Sequence, residues 1–216
     1  MKKIEAVIFD MDGLMFDTER LSNRIWKKVV KELGIDAPAD MFLRVIGRTK
    51  KDGRKIMEET LGEDFDYDKT RARRTEYYNK YIIENGTPIK KGLIELLDFL
   101  DKSKIKKAIA SSSYEDVVNF LLENANLVGR FNEIVAGNEI INGKPDPEIF
   151  LKASKKLNIE PSKCLVLEDS NPGIKAASLA GMKSILIPDL LEPTEESRKL
   201  ASNECESLLD VIEILK

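Results

Sequence analysis

The sequence predicts an α/β fold: a doubly wound parallel-sheet (Rossmann-like) core carrying an inserted all-helical cap. Three observations lead there. Five short aliphatic runs, EAVIFD, KKAIAS, NEIVAG, KCLVLED and KSILIP, read as buried strands, often ending in a polar or small residue. Helical patterns lie between them, which is the alternation of a parallel sheet with helices on both faces. From about Phe16 to Thr87 only helical patterns occur, a span too long for one crossover helix.

Length and composition narrow the function. The chain has 216 residues, enough for one large domain or a core plus a smaller module. Its 42% hydrophobic and 34% charged residues are an ordinary globular mix. No apolar run approaches the ~20 residues of a membrane span. MKKIEAVIFD runs straight into a strand, without the long apolar region of a signal peptide, so the cytoplasm is the expected location. A net charge of -3 argues against nucleic acid as partner. Cys164 and Cys205 lie far apart and read as structural thiols. The absence of histidine is the strongest restriction. It excludes Ser-His-Asp and Cys-His mechanisms and histidine-ligated zinc. Acid-base chemistry falls to carboxylates, lysines, tyrosines or water.

The first strand runs through Val7, Ile8 and Phe9 into Asp10, with Asp12 two residues on. Residues two apart in an extended stretch point to one side, so both carboxylates can face one small volume. Gly13 permits a turn other residues resist. The same pattern suits a plain Asp-Gly turn. In the helical segment, Leu21, Ile25 and Val29 form one stripe, continued by Trp26, Val30 and Leu33. KKDGRKIMEETL and DKTRARRTEYYNKYIIEN are further helices, and Thr87-Pro88 is the return hinge. Arg71, Arg73 and Arg74 read as a solvated helix face. Basic Arg48, Lys50 and Lys51 suit either solvent or a second phosphate.

Leu93, Leu96, Leu97 and Leu100 recur at helical spacing before the strand that ends at Ser111. Ser111 is the better placed hydroxyl for an oxyanion. Ser113, three residues before Asp116, resembles a capping-box residue and is expected to cap the next helix. In GKPDPEIF, Asp146 is expected as N-cap and Pro147 as the first helical residue. Lys144 before them is either solvated or a cation held by a stiff loop. In VLEDSNPGIKAASLAGM, Ser170 or Asn171 caps, Pro172 lies in the first turn and Gly181 terminates. Capping leaves the adjacent acids Glu168 and Asp169 unexplained.

Together the strand ends carry Asp10, Asp12, Glu168 and Asp169. Carboxylates this close raise one another's pKa unless a cation joins them. Oxygen ligands without histidine or thiolate favour Mg²⁺ over zinc. Lys144 and Ser111 then resemble the other half of a phosphate site, and a carboxylate nucleophile forming an aspartyl-phosphate becomes reasonable.

FDMDG, ASSS, GKPDP and LEDSNPGIKAASLAGM, in this order, resemble the haloacid dehalogenase superfamily, in particular its β-phosphoglucomutase-like phosphatase branch. The resemblance covers essentially the whole chain. It implies a catalytic core of residues 1–15 and 88–216 and a helical cap of residues 16–87. Asp10 resembles the nucleophile and a metal ligand. Asp12 resembles the general acid and base, and its backbone carbonyl a metal ligand. Ser111 and Lys144 resemble the groups holding the transferring phosphoryl, and Glu168 and Asp169 the acidic pair on Mg²⁺. Gly13, Ser112, Gly47, Arg48 and Lys50 are expected to meet substrate. The branch's mutases carry a histidine in the first cap helix, where this chain has Ser22, which moves weight to hydrolysis.

The expected activity is Mg²⁺-dependent hydrolysis of a small phosphate monoester, a sugar phosphate or nucleoside-type monophosphate. β-Phosphoglucomutase is the alternative. A 2-haloacid dehalogenase and a phosphoaccepting receiver-like module are weaker rivals. The expected partner is a small phosphorylated metabolite, with no nucleic acid or membrane, and the chain is expected to be a monomer or weak dimer.

Overall fold

β1 (Ala6–Phe9) is wholly buried and forms the middle of the sheet. The structure, a computed structural model, describes residues 3–38, 40–45, 50–62 and 65–216. In chain order after β1 come α1 (Thr18–Glu32), α2 (Met41–Arg44), α3 (Lys50–Leu61), α4 (Tyr67–Asn85), α5 (Leu93–Lys102), β2 (Lys106–Ala110) and α6 (Glu115–Asn124). Then follow β3 (Glu133–Val135), α7 (Glu148–Leu157), β4 (Cys164–Glu168), α8 (Asn171–Leu179), β5 (Lys183–Leu186), α9 (Glu195–Leu200), β6 (Asn203–Glu204) and α10 (Leu208–Leu215).

The six strands are parallel, in the order β3-β2-β1-β4-β5-β6. The order runs outward in opposite directions from β1 and β4, so the topological switch point lies between them. Ligands of such sheets bind beyond the carboxyl ends of the strands at this point. Phe9 stands opposite Ile109 and Leu167. That register brings the residues following β1, β2 and β4 to one edge.

Short aliphatic strands suit this position because a parallel sheet is buried on both faces. Ala6, Ile8, Ala108, Ala110 and Val166 share a core with Ile149, Phe150, Ala153 and Leu157 of α7 and Ala176 and Ala177 of α8. Val7 and Phe9 point to the opposite face and are equally buried. The expected α/β architecture with an inserted helical segment is the one observed. Two details differ. β6 has only two residues, both exposed and polar, so no apolar pattern marks it. Leu33 falls beyond the end of α1 and is 43% exposed, outside the stripe expected to bury it.

The chain divides into two compact units, residues 1–17 with 87–216, and residues 18–86. The second holds α1 to α4, with no strand among its described residues. Trp26, Val30, Met41, Phe42, Met57, Phe65 and Tyr67 form its apolar centre. Among the described residues, no helix is long and apolar enough to cross a membrane.

Candidate active site at the strand ends

Asp10 leaves β1 with its N–H on the Leu167 carbonyl at 3.0 Å. The chain then turns tightly, with the Gly13 N–H donating to the Phe16 carbonyl. Gly13 has φ +88°, which a side chain disfavours, and a Cβ there would stand 2.3 Å from Asp169 Oδ2. The Asp169 carboxylate from the end of β4 is therefore set against the loop carrying Asp10 and Asp12.

Lys144 joins the other groups. Its ammonium pairs with Asp10 Oδ1 and donates to Glu168 Oε1 at 2.6 Å and to the Ala110 carbonyl at 3.3 Å. All three of its protons have acceptors. The side chain is 7% exposed, and its nitrogen lies 5.0 Å from the centre of the Phe150 ring. Glu148 organises the loop that delivers it. Glu148 Oε1 accepts from the Ile141 N–H and Oε2 from the Asn142 N–H, each at 2.9 Å. The expected cap of α7 is displaced by one residue. Pro147 is the N-cap, and Asp146 precedes it, its Oδ1 accepting from the Glu148 N–H.

Glu168 is fully buried. Its Oε2 accepts from both the N–H and the hydroxyl of Ser170 at 2.8 Å. Ser170 caps α8, accepting from the Gly173 N–H at 3.1 Å. A Cβ on Gly173 would come within 1.8 Å of Glu168 Oε1, so the glutamate fits only because this helix turn lacks a side chain.

The serine loop after β2 differs from expectation. Ser111 is buried, and its Oγ accepts from the Ser113 N–H at 3.0 Å. Ser112 is exposed. Ser113 does not cap α6. Tyr114 is the N-cap, without a side-chain bond, and Asn138 Oδ1 takes the Glu115 N–H instead. The Ser113 hydroxyl donates to Asp12 Oδ2 at 2.8 Å. The partner lies on another strand loop, and no local spacing signals it.

Burial pushes the Asp10 carboxyl up to about 7, against the pull of Lys144 and with the charges of Glu168 and Asp12 adding to the rise. Burial, followed by the charges of Glu168 and Asp10, pushes Asp169 well above the ordinary carboxylate range. Burial also works against the Lys144 ammonium, but Asp10 and Glu168 outweigh it and keep it charged. The edge thus holds more buried carboxyl groups than cations. Among the described residues, no three acidic side chains are arranged to hold a metal ion by themselves.

Gly47 and Arg48 lie outside the described residues, and the side chain of Lys50, which opens α3, is also outside them. Arg74 is not part of a solvated face. It donates to Ser22 Oγ and lies over the Tyr78 ring at 4.5 Å. Arg73 pairs with Glu32 at 3.1 Å.

Residues 7–187 match the family model described as "Haloacid dehalogenase-like hydrolase". The chain is 35% identical over 182 residues to a phosphorylated carbohydrates phosphatase of Thermotoga maritima, covering 84% of each protein. It is 30% identical over 190 residues to the β-phosphoglucomutase of Bacillus subtilis, covering 84% of this chain and 82% of that one. The crystal structure of a candidate β-phosphoglucomutase from Thermotoga maritima superposes with a TM-score of 0.84 at 30% identity, covering 98% of both chains.

Proposed function

The chain belongs to the haloacid dehalogenase-like hydrolase family, and on that footing we propose that it is a Mg²⁺-dependent phosphatase of small phosphate monoesters. The observation that carries this reading is the ammonium of Lys144 on Asp10 Oδ1. It orients the carboxylate and leaves Oδ2 to attack phosphorus. Sugar phosphates and nucleoside-type monophosphates are the substrate class, in keeping with the relatives named for phosphorylated carbohydrates and pseudouridine 5′-phosphate.

In the first step Asp10 Oδ2 forms a bond to phosphorus as the bond to the ester oxygen breaks. The leaving oxygen takes the electron pair and a proton from Asp12. In the second step Asp12 accepts a proton from water, whose oxygen attacks the aspartyl-phosphate and frees Asp10 and phosphate. Ser111 holds the transferring group through its hydroxyl, and Lys144, whose three protons have acceptors, supplies positive charge beside it, since phosphoryl transfer depends chiefly on positioning and charge stabilisation.

The donor set suits Mg²⁺. The ion takes one or two carboxylates, waters and substrate phosphate rather than a complete protein cage. Asp10, Asp169 and the Asp12 carbonyl would hold it. Glu168 has both oxygens engaged, by Lys144 and Ser170, so its part is through charge or water. When bound, the ion offsets the charge of the buried carboxylates and of the phosphate.

The second reading, β-phosphoglucomutase, is favoured by the Bacillus subtilis relative. Against it, the chain has no histidine, and Ser22 is engaged by Arg74. Phosphate release from a panel of small esters, with Mg²⁺ or with EDTA, tests the proposal, with Asp10→Asn as control. Release is expected only with Mg²⁺ and intact Asp10. Conversion of glucose 1-phosphate to glucose 6-phosphate faster than phosphate release would establish the mutase instead.

A further inference from the structure

We propose that Ser113 is a positioning residue for Asp12, aiming its carboxyl at the leaving oxygen. The inference rests on the phosphatase reading and adds a residue to it. The Ser113 hydroxyl lies 2.8 Å from Asp12 Oδ2 across two strand loops. A serine hydroxyl both donates and accepts. Here it donates to Oδ2 and so fixes the direction of the Asp12 carboxyl group.

The backbone of Ser113 is fixed for this task. Its N–H is on Ser111 Oγ at 3.0 Å, and its carbonyl accepts from the Gly137 N–H at 2.8 Å. Ser111 is in turn tied to β3 through the Val135 carbonyl. Gly137 can approach because it has no Cβ, which would stand 2.1 Å from the Ser112 carbonyl oxygen. Serine before a helix ordinarily spends its hydroxyl on the helix N-terminus. Here Asn138 takes the Glu115 N–H, which frees the Ser113 hydroxyl for Asp12.

Leaving-group dependence tests this. An alkyl alcohol needs a proton as it departs, whereas p-nitrophenolate does not. kcat/KM reports the steps through aspartyl-phosphate formation, where Asp12 acts as acid. Ser113→Ala is expected to lower kcat/KM by about 10- to 100-fold for a hexose phosphate and far less for p-nitrophenyl phosphate. Ser113→Thr, which keeps the hydroxyl, is expected to restore the hexose phosphate rate to within about threefold of wild type. Equal losses on both esters, or no loss on either, would overturn the inference while leaving the phosphatase reading intact. Wild-type protein that hydrolyses neither ester overturns that reading and this one together. A thermal melt checks folding, and Ser113→Cys carries the same comparison should the alanine variant not fold.

Discussion

Lys144 Nζ lies 2.6 Å from Glu168 Oε1, and the same ammonium holds Asp10. The cation of the proposed nucleophile is therefore shared with a glutamate that has no exposure to solvent. Lys144→Met leaves two buried carboxyl groups facing each other. Phosphatase kcat/KM is expected to fall by about 10²- to 10³-fold, the size of losing one charged stabiliser at a reacting centre. Removing one partner of a buried pair costs about 3–5 kcal/mol. Protonation of the orphaned carboxyls relieves part of that. Urea denaturation is thus expected to show a larger deficit at pH 8 than at pH 5, and an equal deficit would refute the shared-cation account.

Gly173 tests the same glutamate from the helix side. Gly173→Ala places a methyl group against the Glu168 carboxylate, where Oε1 lies within 1.8 Å of the Cβ position. Overpacking of this kind costs about 1–3 kcal/mol, and activity is expected to fall as Glu168 loses its hold on Lys144. Gly53→Ala is the contrast. It lies inside α3, where among the described residues a Cβ would meet only Val45, at 3.9 Å, and alanine there is expected to stabilise by about 0.5–1 kcal/mol. Thermal melts of the two variants should move in opposite directions.

Glu148 acts at one remove from the site. Hydrogen bonds from the Ile141 and Asn142 N–H groups hold its carboxyl below the ordinary glutamate value. Glu148→Ala releases the loop that carries Lys144. Since a displacement of about 1 Å at a reacting group can cost up to 10²-fold, a loss of about tenfold in kcat/KM is expected, with KM nearly unchanged. A rate equal to wild type would mean the loop is held by Asp146 and its prolines alone.

The metal-free protein should lose stability as the pH rises. Burial lifts Asp10 to about 7 in the folded state, above the ordinary value of about 3.9 that it has in the unfolded chain. Between those values the folded state binds more protons than the unfolded, so stability falls with rising pH. In EDTA, the denaturation midpoint is expected to be higher at pH 5.5 than at pH 8, and Asp10→Asn should flatten the slope. Adding Mg²⁺ at pH 8 should raise the wild-type midpoint by mass action. A midpoint that instead climbs toward pH 8 without metal would contradict the burial argument.

The sequence by itself determined the architecture and the inventory of the strand ends. Apolar runs of four or five residues, leucines at helical spacing and a long strand-free segment depend on local periodicity, and the sheet and helical unit follow them closely. Asp10, Ser111, Glu168 and Asp169 were legible because each stands directly after or at the end of such a run. The tertiary structure decided which side chains meet. Ser113 looked like a helix cap because its only sequence-visible option was local. Its partner, Asp12, is 101 residues away and is brought near by the register of β1 and β2. Asp10 and Lys144 are 134 residues apart. The close approaches at Gly13, Gly137 and Gly173 are equally invisible to spacing. Periodicity reports which face of an element avoids water. Hydrogen bonds of 2.6 to 3.0 Å depend on where two loops end in space, and that is set only when the strands pair.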